Sequence, residues 1–280
     1  MIVQSPEVAD GPSFVLLQTD HTRFAGALHT AFGNDEFAAP KPADLIQFAI
    51  DSHDEGWAPL DERLLFNEGT GLPYHLTGTP LPELIGTSVG SPDLNERRHP
   101  FCGVLSSMHT YGLYTGRYGL SAFVFVDVIP AELRGRVDAM LANEVARQER
   151  LKDLLRADAD PAVAALADET LVMHAYKLLQ VWDTLSLYLQ CEHPSLRGQQ
   201  TFPNMPRSAN PADDVTLTVT PVDVSDAACT TYRVAPFPFR SDGVEVSMPG
   251  RYLAPTASAA AMRDAFATAP IVEQRVRFVA

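Results

Sequence analysis

The sequence predicts a mainly α-helical protein with a small β-rich segment at its C-terminal end. Apolar residues recur at helical spacing through most of residues 1–198, whereas Val215 to Val219 alternates between Val, Thr and Leu as strands do. Hydrophobic residues make up 46% of the chain, which is enough to bury a substantial core. We therefore predict a helical body over residues 1–198 and a β-rich tail over residues 199–280 that packs on the body.

The first elements follow from short apolar patterns. Phe14 to Leu17 is an apolar run that could form a strand or lead into a helix. The next apolar residues recur every four positions and predict a helix that ends near Gly33. A second helix is expected to begin at Pro42, because proline suits the first helical position, and to run into His53.

The middle of the chain alternates between irregular and strongly helical patterns. Residues 57–100 are rich in glycine and proline, so we predict a long irregular connection there. Helical spacing returns at Val104 to Tyr114 and again at Ala131 to Arg156. The most apolar helix, Leu166 to Cys191, should lie at the centre of the body, because apolar side chains cover most of its circumference.

The tail contains short β patterns separated by turns. The segment Phe237-Pro238-Phe239 is expected to hold this tail to the helical body. The predicted strands are Val215 to Val219, Tyr232 to Val234, Val244 to Met248 and Ile271 to Val279.

Composition limits the class of function. The 35 acidic residues exceed the 21 basic ones and give a formal charge of −14, which disfavours binding to the nucleic-acid backbone. No apolar stretch is long enough to span a membrane, and Met1 to Gly11 lacks the basic residues of a secretory signal. The three cysteines form no CxxC pair, as in reducing compartments. We expect a cytoplasmic protein with a small-molecule substrate, and we leave its oligomeric state open.

Four polar residues occupy positions where the hydrophobic pattern predicts the interior: His21, His53, Asp54 and Asp183. Each has a structural alternative, since His21 could cap its helix, His53 could be a hydrogen-bonded core histidine, Asp54 could end its helix in solvent and Asp183 could accept from a backbone amide. A lone buried carboxylate is costly unless it is paired or bound to a metal. Together, two imidazoles and two carboxylates from three helices would form a mixed nitrogen and oxygen site for a divalent metal.

The order His, His-Asp, Asp resembles that of the HD-domain superfamily of metal-dependent phosphohydrolases. Four local motifs together resemble a bacterial domain-of-unknown-function family, DUF3891. This resemblance implies an HD-like helical body whose metal ligands are His21, His53, Asp54 and Asp183. The motifs are LLQTDH at Leu16 to His21, HDEGW at His53 to Trp57, SSMHTYGLY at Ser106 to Tyr114 and VAPFPF at Val234 to Phe239.

The same resemblance leaves open whether one or two ions bind and whether they are Fe, Mn, Mg or Zn. Members of the superfamily with two metals carry additional histidines between the His-Asp pair and the last Asp. The candidates here are His75, His99, His109 and His174, and of these only His109 lies in one of the motifs. His109 could be a structural histidine, a general acid or base, or a ligand to a second metal. Asp54 is the other candidate catalytic residue.

Several residues near these motifs could line a substrate pocket. The aromatic candidates could equally be packing residues, and the arginines could receive an anionic substrate or lie on the surface. The pocket candidates are Arg23, Trp57, Tyr111, Tyr114 and Arg117.

These observations favour a hydrolase of a small phosphate ester or nucleotide-like molecule, in which the metal activates water and His109 transfers a proton. The first alternative is an iron-dependent oxygenase of a small organic substrate, with one or two irons. The scarcity of lysine argues weakly for it, because phosphate-rich substrates favour cationic sites. The second alternative is a metal-bearing binding protein without turnover. The sequence contains no dinucleotide-binding, phosphate-loop or serine-hydrolase motif.

Overall fold

A computed structural model describes residues 1–280, and it combines a helical body with one large curved sheet. Helix accounts for 53% of the residues and strand for 19%. The fold is therefore mainly α, as predicted. The α-helices are α1 (Gln18–Ala31), α2 (Ala43–Asp51), α3 (Ala58–Arg63), α4 (Leu81–Arg98), α5 (Pro100–Thr115), α6 (Ala131–Arg156), α7 (Pro161–Ala164), α8 (Glu169–Cys191) and α9 (Ala259–Thr268).

Seven strands form the large sheet, and two more form a separate hairpin. The order in the sheet is β1-β2-β8-β9-β7-β6-β5, and all neighbours are antiparallel except β7 and β9. The strands are β1 (Ile2–Val3), β2 (Ser13–Leu16), β3 (Phe66–Asn67), β4 (Leu72–Pro73), β5 (Gln200–Met205), β6 (Val215–Asp223), β7 (Cys229–Ala235), β8 (Val244–Leu253) and β9 (Val272–Val279).

The sheet is larger than the small tail that the sequence predicts. β1 and β2 come from the start of the chain and join it, so the sheet crosses the predicted boundary at residue 198. β5 has no recognisable alternation, because it contains Pro203 and its pairing with β6 is irregular between Phe202 and Met205. Asn204 within it has a positive φ of 62°.

The second helix is shorter than predicted. α2 ends at Asp51, and Ser52 closes it by donating from its hydroxyl to the carbonyl oxygen of Phe48 at 2.6 Å. His53 therefore lies in the turn after the helix and not on its apolar face.

The prediction of an irregular connection over residues 57–100 is wrong, because α3 and the 18-residue α4 lie there. One glycine of α4 serves close packing. A Cβ atom on Gly90 would lie 2.8 Å from the Cα of Gly56, in the turn that follows His53. Pro82 lies in the first turn of α4, where proline is tolerated. The glycine and proline content of this segment indicated a loop, but Gly90 instead allows the backbone of α4 to approach that of Gly56 closely.

An aromatic cluster joins the sheet to the helical body. The ring of Phe239 stacks on Trp182 of α8 with centroids 5.7 Å apart, and Phe32 meets the same indole edge-on at 5.7 Å. This agrees with the role expected for the Phe237 to Phe239 segment, and it fixes the position of α8. No helix of the protein has both the length and the apolar character needed to cross a membrane.

Candidate metal centre

Three side chains from different parts of the fold meet inside the helical body. His21 comes from α1, His53 from the turn after α2, and Asp183 from α8. The Oδ1 atom of Asp183 lies 3.3 Å from His21 Nε2 and 3.8 Å from His53 Nε2. The three side chains are almost completely buried, and one atom from each lies within 4.8 Å of the others. This spacing leaves room for one ion between them.

A second group adjoins the first and shares His53 with it. Asp54 Oδ2 lies 4.0 Å from His53 Nε2, and Asp54 Oδ1 lies 3.7 Å from His109 Nε2 on α5. The ring centroids of His53 and His109 are 4.9 Å apart. All five residues predicted as ligands or catalytic groups are thus brought together at one place.

Hydrogen bonds orient the first two histidines so that Nε2 faces the centre. The Nδ1 atom of His21 donates to Gln190 Oε1 at 2.7 Å, and the Nδ1 atom of His53 donates to the carbonyl oxygen of Ile50 at 2.7 Å. With the proton held on Nδ1, the lone pair of a neutral imidazole is on Nε2. Such partners are typical of metal-binding histidines.

His109 has the opposite arrangement. The side-chain amide of Gln180 donates from Nε2 to His109 Nδ1 at 2.9 Å, so the ring proton of a neutral His109 is on Nε2. That atom has no hydrogen-bond partner and points towards Asp54. His109 is therefore a hydrogen-bond donor at this site.

The turn that carries His53 and Asp54 is held by α4. The backbone N–H of Gly56 donates to Ser91 Oγ at 2.8 Å, and Asn95 donates to the carbonyl oxygen of Ser52 at 3.2 Å. A Cβ atom on Gly56 would lie 2.2 Å from the carbonyl oxygen of Thr87, so glycine is required for this approach.

The electrostatics favour ionised carboxylates. Burial alone would raise the pKa of Asp183, but the contacts with His21, His53 and Arg117 hold that pKa well below its usual range. Burial opposes ionisation of Asp54 as well, and the neighbouring histidines outweigh it and lower its pKa. Burial also disfavours the charged form of His53, but Asp183 and Asp54 raise its pKa. For His109, burial exceeds the effect of Asp54 and lowers the pKa.

The donor set fits a divalent metal ion. His53 Nε2 is buried without a hydrogen-bond partner and faces two carboxylates. An unpaired buried nitrogen is unfavourable, and a cation bound to it would satisfy it. Imidazole nitrogen and carboxylate oxygen are ligands of Zn, Mn and Fe.

A cavity of about 920 Å³ opens onto this centre, a volume within the range of small-molecule sites. Asp54 and Asp183 form part of its wall. Of the pocket candidates, Trp57, Tyr114 and Arg117 line it.

The other two candidates lie elsewhere. Arg23 has a side chain that is 65% exposed and pairs with Asp20 at 2.6 Å, and Tyr111 packs against the ring of Tyr118. Neither lines the cavity.

Sequence reasoning missed the amides that hold the site together. Gln18 donates to Asp54 Oδ2 at 2.7 Å, and Gln180 and Gln190 orient two of the histidines. Gln180, Asp183 and Gln190 follow each other by three and seven residues on α8, so they form a polar stripe on one side of this largely buried helix. That stripe was the signal that could have revealed them.

Comparison with known proteins places the chain in a family. A family model described as "Protein of unknown function (DUF3891)" covers residues 1–255. No curated protein and no solved structure matches the chain.

Proposed function

This chain belongs to the DUF3891 family, and we propose that it is a metal-dependent hydrolase of a small phosphate ester. The proposal includes an HD-like arrangement, in which His21, His53, Asp54 and Asp183 hold the metal. The observation that carries it is the buried Nε2 of His53, which has no hydrogen-bond partner, faces two carboxylates and lies beside an open cavity.

The residues of the chain divide between those that would hold the metal and one that would stabilise the leaving group. A divalent metal bound there would lower the pKa of a water ligand and supply the nucleophile. Asp54 lies on the cavity wall, and its side chain is 15% exposed, so it can hold the metal and orient the attacking water. His109 carries its proton on Nε2, from which it can donate a hydrogen bond to the leaving-group oxygen and stabilise the negative charge that develops there.

A second candidate function, an iron-dependent oxygenase, is favoured by one observation. Gln180 Oε1 has no hydrogen-bond partner. A rotated amide would accept from His109 Nδ1 and leave the lone pair on Nε2, so that His109 and Asp54 Oδ1 could bind a second metal. The binding protein without turnover is less well supported, because the cavity gives a substrate access to the centre.

Replacement of His109 by alanine tests the proposed role of this residue. We expect the variant to keep its metal and to lose activity on a phosphate monoester by about 10²- to 10³-fold, the usual effect of removing one preorganised hydrogen-bond donor to a developing negative charge. Metal content and hydrolysis of p-nitrophenyl phosphate would be measured with and without oxygen. His193→Ala is a matched control, since His193 does not line the cavity. An oxygen requirement of the wild type, or the loss of one of two metals in the variant, would favour the oxygenase instead.

A further inference from the structure

An unusual turn follows α5 at the edge of the cavity. Gly116, Arg117, Tyr118 and Gly119 have φ values of 80°, 53°, 56° and 84°, so four consecutive residues have a positive φ. This conformation is unfavourable for residues that carry a Cβ atom, and Arg117 and Tyr118 both do. The surrounding structure must therefore hold the turn in place.

Specific contacts do so. The hydroxyl of Tyr118 donates to Gln148 Oε1 at 2.9 Å, and its ring meets Tyr176 edge-on with centroids 5.3 Å apart. On α5, Gly112 makes room for the turn, because a Cβ atom there would lie 3.2 Å from the Cα of Arg117.

The turn directs Arg117 into the candidate site. Its Nη2 atom donates to Asp183 Oδ2 at 3.2 Å, while Oδ1 of the same carboxylate faces His21 and His53. The side chain is 17% exposed and lines the cavity. A guanidinium has five N–H donors, and a single side-chain acceptor leaves most of them for a ligand.

The cavity wall contains two basic residues, Arg117 and Lys177. Lys177 is neutralised by Asp214, whereas the partner of Arg117 is the candidate metal ligand Asp183. The cavity therefore offers one cationic group beside the metal ligands and no second one for a chain of phosphates.

The rest of the wall is largely apolar. Side chains from the turn after His53, from α4 and α5 and from the segment after Arg117 provide it. They include Trp57, Leu84, Leu113, Phe123 and Phe125.

We propose that the substrate is amphipathic, with one anionic group held by Arg117 and an apolar body along this wall. The inference rests on the proposed metal site, because the anionic group would lie next to Asp183. It narrows the substrate class from phosphate esters in general to monoesters of apolar alcohols, and it disfavours nucleoside polyphosphates. Fork-shaped pairing of arginine with phosphate oxygens is a strong, directional contact.

Calorimetric titration of the manganese-loaded protein with octylphosphonate tests this, because a phosphonate is not hydrolysed. We expect octylphosphonate to bind at least 10-fold more tightly than methylphosphonate or octanol. Arg117→Met should weaken the binding of octylphosphonate at least 10-fold, and Arg117→Lys should weaken it less. Leu84→Asn should weaken the binding of octylphosphonate and leave that of methylphosphonate unchanged. Arg23→Met is the matched control, because Arg23 is exposed and does not line the cavity.

Two results would overturn the inference: equal binding of octylphosphonate and methylphosphonate, or octylphosphonate affinity in Arg117→Met within 2-fold of the wild type. Metal content measured in the same samples separates this failure from that of the proposed function. A protein that binds octylphosphonate through Arg117 but takes up no metal would refute the metal site and retain the ligand class. A metal-loaded protein that does not bind octylphosphonate would refute the ligand class and retain the metal site.

Discussion

For each histidine of the candidate metal centre, the hydrogen-bond partner of Nδ1 determines which ring nitrogen carries the proton. His21 and His53 place their protons on Nδ1 through Gln190 and the carbonyl of Ile50, and His109 receives a bond from Gln180 instead. Three imidazoles in one site thus have two kinds of role. The difference arises from partners that lie up to 169 residues away in the chain.

Gln190 offers a direct test of this control. We expect Gln190→Leu to lower metal affinity about 10- to 100-fold, because His21 would lose the acceptor that fixes its tautomer and orientation. Metal affinity would be measured by competition with a chelator. Gln199→Leu is a suitable control, since Gln199 is exposed. Equal affinity in the Gln190 variant and the wild type would show that this bond does not orient a ligand.

The sequence predicted the ionisable members of the site better than their partners. His21, His53, Asp54 and Asp183 stood out because ionisable side chains at apolar positions need an explanation. Gln190 did not stand out, since an amide at a helix end has many ordinary uses. Which amide meets which imidazole depends on how α1 and α8 pack, and no local pattern encodes that.

At the scale of elements, close backbone contact positions the ligands. α4 crosses the turn that carries His53 and Asp54, and Gly90 meets Gly56 at the crossing. Sequence patterns gave the long regular helices, including Ala131–Arg156 with the predicted bounds. They failed for α4, because glycine and proline indicate a loop unless the tertiary contact that requires them is known.

Two alanine substitutions in α4 separate packing from helix propensity. Gly90→Ala should destabilise the protein by about 1–3 kcal/mol, because its Cβ atom would collide with the backbone of Gly56. Gly86→Ala, the control on the same helix, should be neutral or stabilising by up to about 1 kcal/mol, since no atom lies within 4 Å of the added Cβ. Chemical denaturation would measure both. Similar free energies of unfolding for the two variants would contradict this account of the crossing.

At the scale of the whole molecule, neutral buried histidines make the free energy of unfolding depend on pH. His75 accepts a hydrogen bond from the backbone N–H of Val3 at 3.0 Å, which joins β1 to the helical body. Burial and the nearby amino terminus lower the pKa of His75 to about 4. Burial likewise lowers the pKa of His29 and of His174 to about 4.

The sign of the pH dependence follows from these values. The unfolded chain takes up protons at these histidines near pH 6.5, whereas the folded chain takes them up near pH 4, so the free energy of unfolding should fall as pH decreases between the two. Each histidine contributes a slope of at most about 1.4 kcal/mol per pH unit. His75→Asn should reduce the total slope between pH 6 and 4.5 by up to that amount and leave the slope above pH 7 unchanged. An identical slope in the variant would contradict the assignment of a neutral, buried His75.

The whole fold serves to bring α1, the turn after α2 and α8 to one point, and metal binding is the central claim that follows. Metal analysis of the protein purified without chelator, compared with His53→Ala and Asp183→Ala, tests this claim most directly. We predict at least one divalent ion per chain in the wild type and none in either variant, because each substitution removes a ligand that the remaining ones cannot replace. A wild type without metal, or variants that keep the full metal content, would contradict it.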